Sequence, residues 1–439
     1  MSPRRDNKNA LFWVETALLA LSAPFLLFPT LVIPATVGVL LASVLWWLAR
    51  WGVDRQPLPT TPFNGALLLW GITVAVGIAV TAYPDLTLPK ATGLILGLAA
   101  WRYLALTVRD RRGLRWAVAG LVLIGLAVAA LGALGARWTV KIPGLQPLLA
   151  RLPERLLALP ESPEGGINAN QLAGAMVFYL PLALAWLLGT LRFAKPAGRA
   201  TRVIARAMGG LAGVAAAGGL LVLTQSRSGW IGGALGVLAL LFLWGLSSNC
   251  RWGRRIAWGL LAVTLVAGGV VAAAIDPAQL SGLWETPGGV STDVGNLSLA
   301  SRVEIWSRAL YAVQDFPFTG CGLGTFRQVV WVLYPPFTLL PGSDFAHAHN
   351  IFLQVAVDTG IPGLVAYLAL LGIAGAVGWR VAKDDPRSRP LALGLVAGLI
   401  ALHTYGLTDA LAPGSKPGVI LWCALGLLAA AARLGPEAR

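Results

Sequence analysis

Charge is scarce in this 439-residue chain: Asp, Glu, Lys and Arg make up 12% of it, against 56% hydrophobic residues. A soluble basic protein carries far more surface charge and a disordered chain lacks this apolar content, which excludes both classes and leaves the bilayer as solvent. Cysteine is scarce too. Cys250, Cys321 and Cys423 lie far apart with no CxxC spacing, so neither a disulfide framework nor a cysteine-based metal or redox motif is expected. Internal repeats, low-complexity tracts and a soluble domain are absent from the sequence. A net charge of +15, from 34 Lys and Arg against 19 Asp and Glu, would point to nucleic acid only if it lay on one exposed face. It falls instead in short clusters between apolar runs, and no nucleic-acid partner is expected.

Those apolar runs are long enough, at about 20 residues each, to cross the hydrocarbon core as helices. Twelve are read, near 11–28, 31–49, 65–82, 89–108, 114–135, 171–191, 203–223, 229–247, 256–275, 352–379, 390–407 and 416–432. The first lacks a small-residue cleavage site and is read as a retained helix, not a signal peptide. With both termini inside, every cytoplasmic connection carries Lys or Arg, as the positive-inside bias requires, provided Arg102 snorkels towards that side. Glu15 remains within the first span. The fold class is therefore an all-α integral membrane protein of about twelve transmembrane helices with a large ordered external loop. It divides into helices 1–5 over 1–135, an external loop over 136–170, helices 6–9 over 171–275, a second external loop over 276–351, and helices 10–12 over 352–439. Leucines at near-helical spacing over 145–159 predict a short interfacial helix in the first loop. The second loop, rich in Gly, Pro, Trp and Phe, is expected to form a functional cap.

Four external segments carry polar chemistry. Thr224-Gln225-Ser226-Arg227-Ser228-Gly229-Trp230 places Arg227 against the charge bias, where its planar fork suits phosphate oxygens; the alternative is an interfacial anchor. In Ser301-Arg302-Val303-Glu304-Ile305-Trp306, Ser301 and Glu304 predict a capping box, with Val303, Trp306 and Leu310 as the apolar stripe. Arg302 then sits in the first turn, the unfavourable end of the dipole for a cation, and invites an anion or a salt bridge to Glu304 or Asp315. Gly320-Cys321-Gly322-Leu323-Gly324 lacks the lysine of a phosphate loop and reads as tight turns near a ligand or a membrane helix. Asp344-Phe345-Ala346-His347-Ala348-His349-Asn350 holds two of the three histidines. Histidine is the side chain best suited to take a proton near neutral pH. Alternatives are a structural pair or a metal site with Asp344, which no second acidic or histidine cluster completes. Asn168-Ala169-Asn170 opens a span as an N-cap whose amides could bind sugar hydroxyls. His403 and Asp409 flank the outer end of the eleventh span, and His403 reads as a packed polar contact.

Ser-Arg-Ser-Gly-Trp, Ser-Arg before Ile-Trp, Gly-x-Gly-x-Gly-x-Phe and His-Ala-His-Asn before Leu-Gln and Gly-Ile-Pro-Gly, taken in order over about 168–363, resemble the O-antigen ligase and polymerase superfamily. Asn168-Ala169-Asn170 resembles its Asn-Pro-Asn signature with Ala replacing Pro. The resemblance implies a multi-span (GT-C-type) glycosyltransferase with no metal or other cofactor. It would take a glycan from undecaprenyl diphosphate at the outer face of the bacterial inner membrane, with both termini cytoplasmic. The acceptor would be lipid A-core, for a ligase, or the glycan itself, for a polymerase; membrane lipids surround both. Arg227 and Arg302 match arginines expected to hold the donor diphosphate, His349 matches the expected general base, and His347 could orient the acceptor. Asn168, Asn170 and Asn350 are candidates for sugar contact. A multi-span transporter, for example of bicarbonate, is the different-class alternative, opposed by the few ionisable groups within the spans.

Overall fold

The computed structural model describes residues 3–55, 58–138, 140–152, 166–193, 200–248, 250–273, 299–337 and 345–434. A helix coincides with each of the twelve expected spans: α1 (Pro3–Leu27), α2 (Ile33–Asp54), α3 (Asn64–Ala79), α4 (Pro84–Thr107), α5 (Arg111–Gly135), and, after the single-turn α6 (Gln146–Leu149), α7 (Ala169–Arg192), α8 (Ala200–Thr224), α9 (Arg227–Ser247) and α10 (Arg251–Ala273). Two helices of the second loop follow, α11 (Leu299–Asp315) and α12 (Phe326–Leu333), then α13 (Ile351–Asp384), α14 (Arg389–Tyr405) and α15 (Val419–Arg433). Among the described residues, eight helices are long and apolar enough to cross a membrane. Leu11–Leu27, Asn64–Ala79 and Arg389–Tyr405 are apolar but shorter. The fold is that of an all-α integral membrane protein.

Helices α7, α14 and α15 form the centre. Small residues let their backbones approach, as membrane helix packing requires: a Cβ on Gly398 would meet the Phe178 ring at 2.8 Å, and one on Gly394 would meet Ala185 at 2.7 Å. Helices α2 and α10 lie outside and expose Leu41, Leu45, Val263, Leu265 and Val266, the apolar face that lipid requires. One bundle end gathers basic residues, where Arg111 pairs with Asp385 at 2.7 Å and Arg433 reaches the Val108 carbonyl at 3.4 Å. The other end gathers the motifs.

Four sequence expectations change. Arg102 does not snorkel: it is buried and forms an ion pair with Glu15, which satisfies both charges within the bundle. Helix α11 is already under way at Leu299, so Ser301 is not its cap, and Glu304 accepts instead from the Phe337 N–H at 2.6 Å and pairs with Arg308 at 3.4 Å. Its buried stripe is Ser301, Ile305, Ala309 and Ala312, while Leu310 is exposed. The predicted stripe failed because the Arg302 and Trp306 face turns towards the histidine segment, where Trp306 Nε1 donates to the His349 carbonyl at 3.2 Å. Finally, α13 breaks at Gly360, whose φ of 70° interrupts the helix two residues before Pro362, so residues 351–359 belong with the cap. The predicted interfacial helix over 145–159 is described only to residue 152, with a 3-10 turn at Pro143–Leu145 and α6; its remainder lies outside the described residues.

Because breaking a buried ion pair strands a charge, Arg102→Leu is expected to destabilise the protein by about 3–5 kcal/mol. Replacing both Glu15 and Arg102 with leucine should restore most of that loss, as read by thermal unfolding in detergent.

Candidate active site

The second loop forms a cap with its own core, in which Ile305, Ala309, Ala312, Phe326, Val330, Phe345, Ala348 and Val357 pack together. The glycine-rich turn fastens that cap to the bundle. Cys321 N donates to the Val357 carbonyl at 2.8 Å, Leu323 N to the Gly77 carbonyl at 3.0 Å, and Thr87 Oγ1 to the Leu323 carbonyl at 2.8 Å. Gly320, Gly322 and Gly324 all have positive φ, and a Cβ on Gly320 would meet the Val357 carbonyl at 2.6 Å. The three glycines are thus tight turns against membrane helices, as the sequence predicts.

The histidine segment lies beneath this cap. Asn350 is the N-cap of α13, accepting from Phe352 N at 2.9 Å and Leu353 N at 3.1 Å, while its Nδ2 donates to the Leu407 carbonyl at 3.0 Å. Ile351 N donates to the Gly406 carbonyl at 2.7 Å. These bonds dock the turn after α14 against the start of α13. They deliver Asp409 to the histidines, with Oδ1 3.3 Å from His347 Nε2 and 3.6 Å from His349 Nδ1. The two imidazoles meet edge to face with ring centres 4.4 Å apart. His349 adopts φ 47°, a left-handed conformation that non-glycine residues rarely take and that marks a constrained site.

Asp409 is the residue that sequence reasoning left out of the site. It sits alone after an apolar helix, sixty residues beyond the histidines; the available signal was a lone carboxylate at the same outer end as an unpaired histidine pair. With it, His347, His349 and Asp409 place ligand atoms within 4.8 Å of one another, a set that could hold a metal ion. The expectation that no other group completes such a cluster therefore fails; Asp344 lies outside the described residues. The hydrogen bonds set a further condition. His347 Nδ1 accepts the His349 backbone N–H at 3.2 Å, which leaves the proton on Nε2, facing Asp409. A metal-bound imidazole instead donates from its second nitrogen to an acceptor.

Arg302 makes no hydrogen bond or ion pair among the described residues, and its Nε is buried without a partner. The salt-bridge alternatives are thereby excluded: Glu304 holds Arg308, and Asp315 accepts from the Tyr334 hydroxyl. Arg302 acts electrostatically on His347 and on Asp409. Burial pushes the His347 imidazole down from 6.5 to about 3, helped by the neighbouring His349, Lys90 and Arg302 charges and only partly opposed by Asp409. Burial would raise the Asp409 carboxyl, but His349, His347 and Arg302 outweigh it and hold it below the usual carboxylate range.

The remaining motifs arrive at the same end. Gln225, at φ 51°, accepts from the backbone of Lys141 and Ile142 at 2.7 and 2.6 Å, and Ser226 caps α9. Ser228 Oγ lies 2.6 Å from Thr408 Oγ1, so Arg227, which is exposed and unpaired among the described residues, adjoins the turn carrying Asp409. Asn168 caps α7, accepting from Asn170 N at 2.8 Å, and the Asn170 carbonyl takes the Tyr405 hydroxyl at 2.7 Å. Asn168 and Asn350 thus serve as caps, whatever else their amides contact. His403 is a packed polar contact, its Nε2 2.7 Å from the Tyr367 hydroxyl and its Nδ1 2.7 Å from the Leu399 carbonyl.

A multi-helix membrane protein that gathers a histidine pair, a carboxylate and guanidinium groups unpaired among the described residues at one end of its bundle is the class that this geometry defines. Residues 212–368 match the family profile described as O-Antigen ligase. The chain is 30% identical over 192 residues to the O-antigen ligase of Pseudomonas aeruginosa, an alignment covering 43% of this chain and 40% of that protein. The chain thus matches about two fifths of its relative's length. By these two matches the segment around the motifs is similar to O-antigen ligases. The matched segment contains Arg227, Arg302, His347 and His349 and ends before Asp409.

The unfolded chain takes a proton on His347 near 6.5 and the folded chain only near 3, so lowering the pH favours unfolding across that window. Asp409 adds to the loss once the pH approaches its ordinary 3.8. Thermal unfolding measured at pH 7 and pH 5 should show a larger drop for the wild type than for His347→Gln, which does not titrate.

Proposed function

We propose that the protein is a membrane glycosyltransferase that moves a glycan from undecaprenyl diphosphate to an acceptor at the outer face of the bacterial inner membrane. Transfer to lipid A-core, the ligase reaction, is the favoured form, and extension of the glycan itself is the alternative. The observation that carries the reading is Arg302: a guanidinium whose buried Nε has no partner among the described residues, in the field of His347 and Asp409, is a charge left for a ligand. The similarity to O-antigen ligases suggests the class of reaction, and the donor and acceptor follow from the same resemblance.

Negative charge grows on the diphosphate as its bond to the anomeric carbon breaks. Fixed guanidinium groups at Arg302 and Arg227 stabilise that charge more in the transition state than in bound donor. Asp409 opposite Nδ1 orients the His349 ring and leaves Nε2, which makes no hydrogen bond among the described residues, to accept the acceptor hydroxyl proton. The 3.6 Å separation would tighten as the ring gains positive charge. His347, held neutral with its proton towards Asp409, steadies the carboxylate. Attack by the hydroxyl oxygen on the anomeric carbon then expels undecaprenyl diphosphate with inversion. No metal enters this scheme, which the His347 tautomer supports, since its Nδ1 faces a donor. The membrane orientation that fits places both termini in the cytoplasm and the site in the periplasm. A transporter would keep mobile charge within its spans; here Glu15 and Arg102 satisfy each other.

Reconstitution with undecaprenyl-diphosphate glycan and either lipid A-core or a second glycan as acceptor tests the reading and separates ligase from polymerase. His349→Ala should lower turnover by about 100-fold or more, Arg302→Ala should do so with donor bound, and chelation should leave the wild-type rate unchanged. Undiminished transfer by His349→Ala, or activity lost on chelation and restored by one divalent ion, would overturn it.

A further inference from the structure

Below the histidines, one face of α13 carries Asn350, Gln354 and Asp358, each one turn from the next. Gln354 and Asp358 are 1% and 5% exposed, and both are hydrogen-bonded. Gln354 Oε1 accepts the buried Ala348 N–H at 2.7 Å, and its Nε2 donates to Asp358 Oδ1 at 2.9 Å. The same Oδ1 accepts Gly324 N at 2.9 Å. Ala348 is the residue between the two histidines, and the next residue is His349 in its left-handed conformation. The Gln354 amide, through Asp358, therefore joins the glycine-rich turn to the backbone from which both imidazoles project.

We propose that Gln354, oriented by Asp358, is a positioning residue that holds the His347-Ala348-His349 backbone so that both rings face Asp409. This rests on the functional reading above for its catalytic consequence, and on the hydrogen bonds alone for its geometric one. The amide can act in one orientation only. Asp358 must accept, which fixes Nε2 towards it and turns Oε1 to the Ala348 N–H. Removing Gln354 would leave that buried N–H without a partner, and a segment that already strains one residue would relax towards an ordinary conformation. The His349 ring would swing away from Asp409 without any change in the donor or acceptor groups of the site. Asn350 does the matching work on the other side, since its Nδ2 holds the Leu407 carbonyl of the turn that bears Asp409.

The test uses the full-length protein in nanodiscs with the lipid-linked donor and its acceptor. Gln354→Leu and Asp358→Leu remove the connection, whereas Asp358→Asn keeps an oxygen for Gln354 and Gly324. Gln354→Leu is expected to lower kcat by about 100-fold, the scale of an ångström-level misplacement of a catalytic group, with KM for both substrates within about twofold. Asp358→Leu should follow it, and Asp358→Asn should restore most of the rate. A second measurement needs no turnover: carbethoxylation of His349 by diethyl pyrocarbonate, followed by peptide mass spectrometry, should change several-fold in both leucine variants and not in Asp358→Asn. Wild-type kcat and wild-type modification rate in Gln354→Leu would overturn the proposal, as would equal losses in Asp358→Leu and Asp358→Asn. If the wild type transfers no glycan, the functional reading fails, and the modification rates still decide whether Gln354 positions the pair.

Discussion

The site depends on one docking contact, the turn after α14 against the N-terminus of α13. Two bonds fix it, Ile351 N to the Gly406 carbonyl at 2.7 Å and Asn350 Nδ2 to the Leu407 carbonyl at 3.0 Å. A helix N-terminus has unpaired N–H groups that need acceptors; here the helix takes one from a neighbouring helix's end. The carboxylate of Asp409 is carried along to a position between two imidazoles, in a place too buried for a free charge to persist without partners. What draws His347, His349 and Arg302 into one field is therefore backbone hydrogen bonding at the ends of two membrane helices.

The cap has the same logic. Helix α11 buries the stripe from Ser301 to Ala312 and turns its other face, Arg302 and Trp306, to the histidine segment. The glycine-rich turn closes the cap onto α3, α4 and α13 through backbone bonds that a side chain at Gly320 would block. Arg302 consequently faces a polar site without a hydrogen-bond or ion-pair partner among the described residues, an arrangement that favours an arriving anion.

Much of this was legible in the sequence. Span positions followed from hydropathy because lipid allows only helices of a minimum apolar length. The four motifs were legible as exceptions: arginines on the side that the charge bias avoids, and histidines paired where the rest of the chain has almost none. The misreadings came from long-range pairing. Arg102 was assigned to an interface because Glu15, its partner, lies 87 residues away. The stripe of α11 was misassigned because a tryptophan counts as apolar in a periodicity, whereas its indole N–H found a carbonyl. Asp409 was set aside for the same reason as Glu15: a lone carboxylate announces that it needs a partner but does not say which. Gln354 was legible only as part of the Leu-Gln that follows the histidines, since nothing in the sequence says which backbone group a buried amide will hold.

The central claim is that His349 and Asp409 act as one unit, the carboxylate orienting the imidazole and stabilising the charge it gains. A double-mutant cycle on kcat with His349→Ala and Asp409→Asn measures this directly, using the same donor and acceptor for all four proteins. If the two residues act together, the double variant will be no slower than His349→Ala alone, because an absent imidazole leaves the carboxylate nothing to orient. Losses that multiply, each substitution slowing the reaction by the same factor whether or not the other is present, would contradict the account.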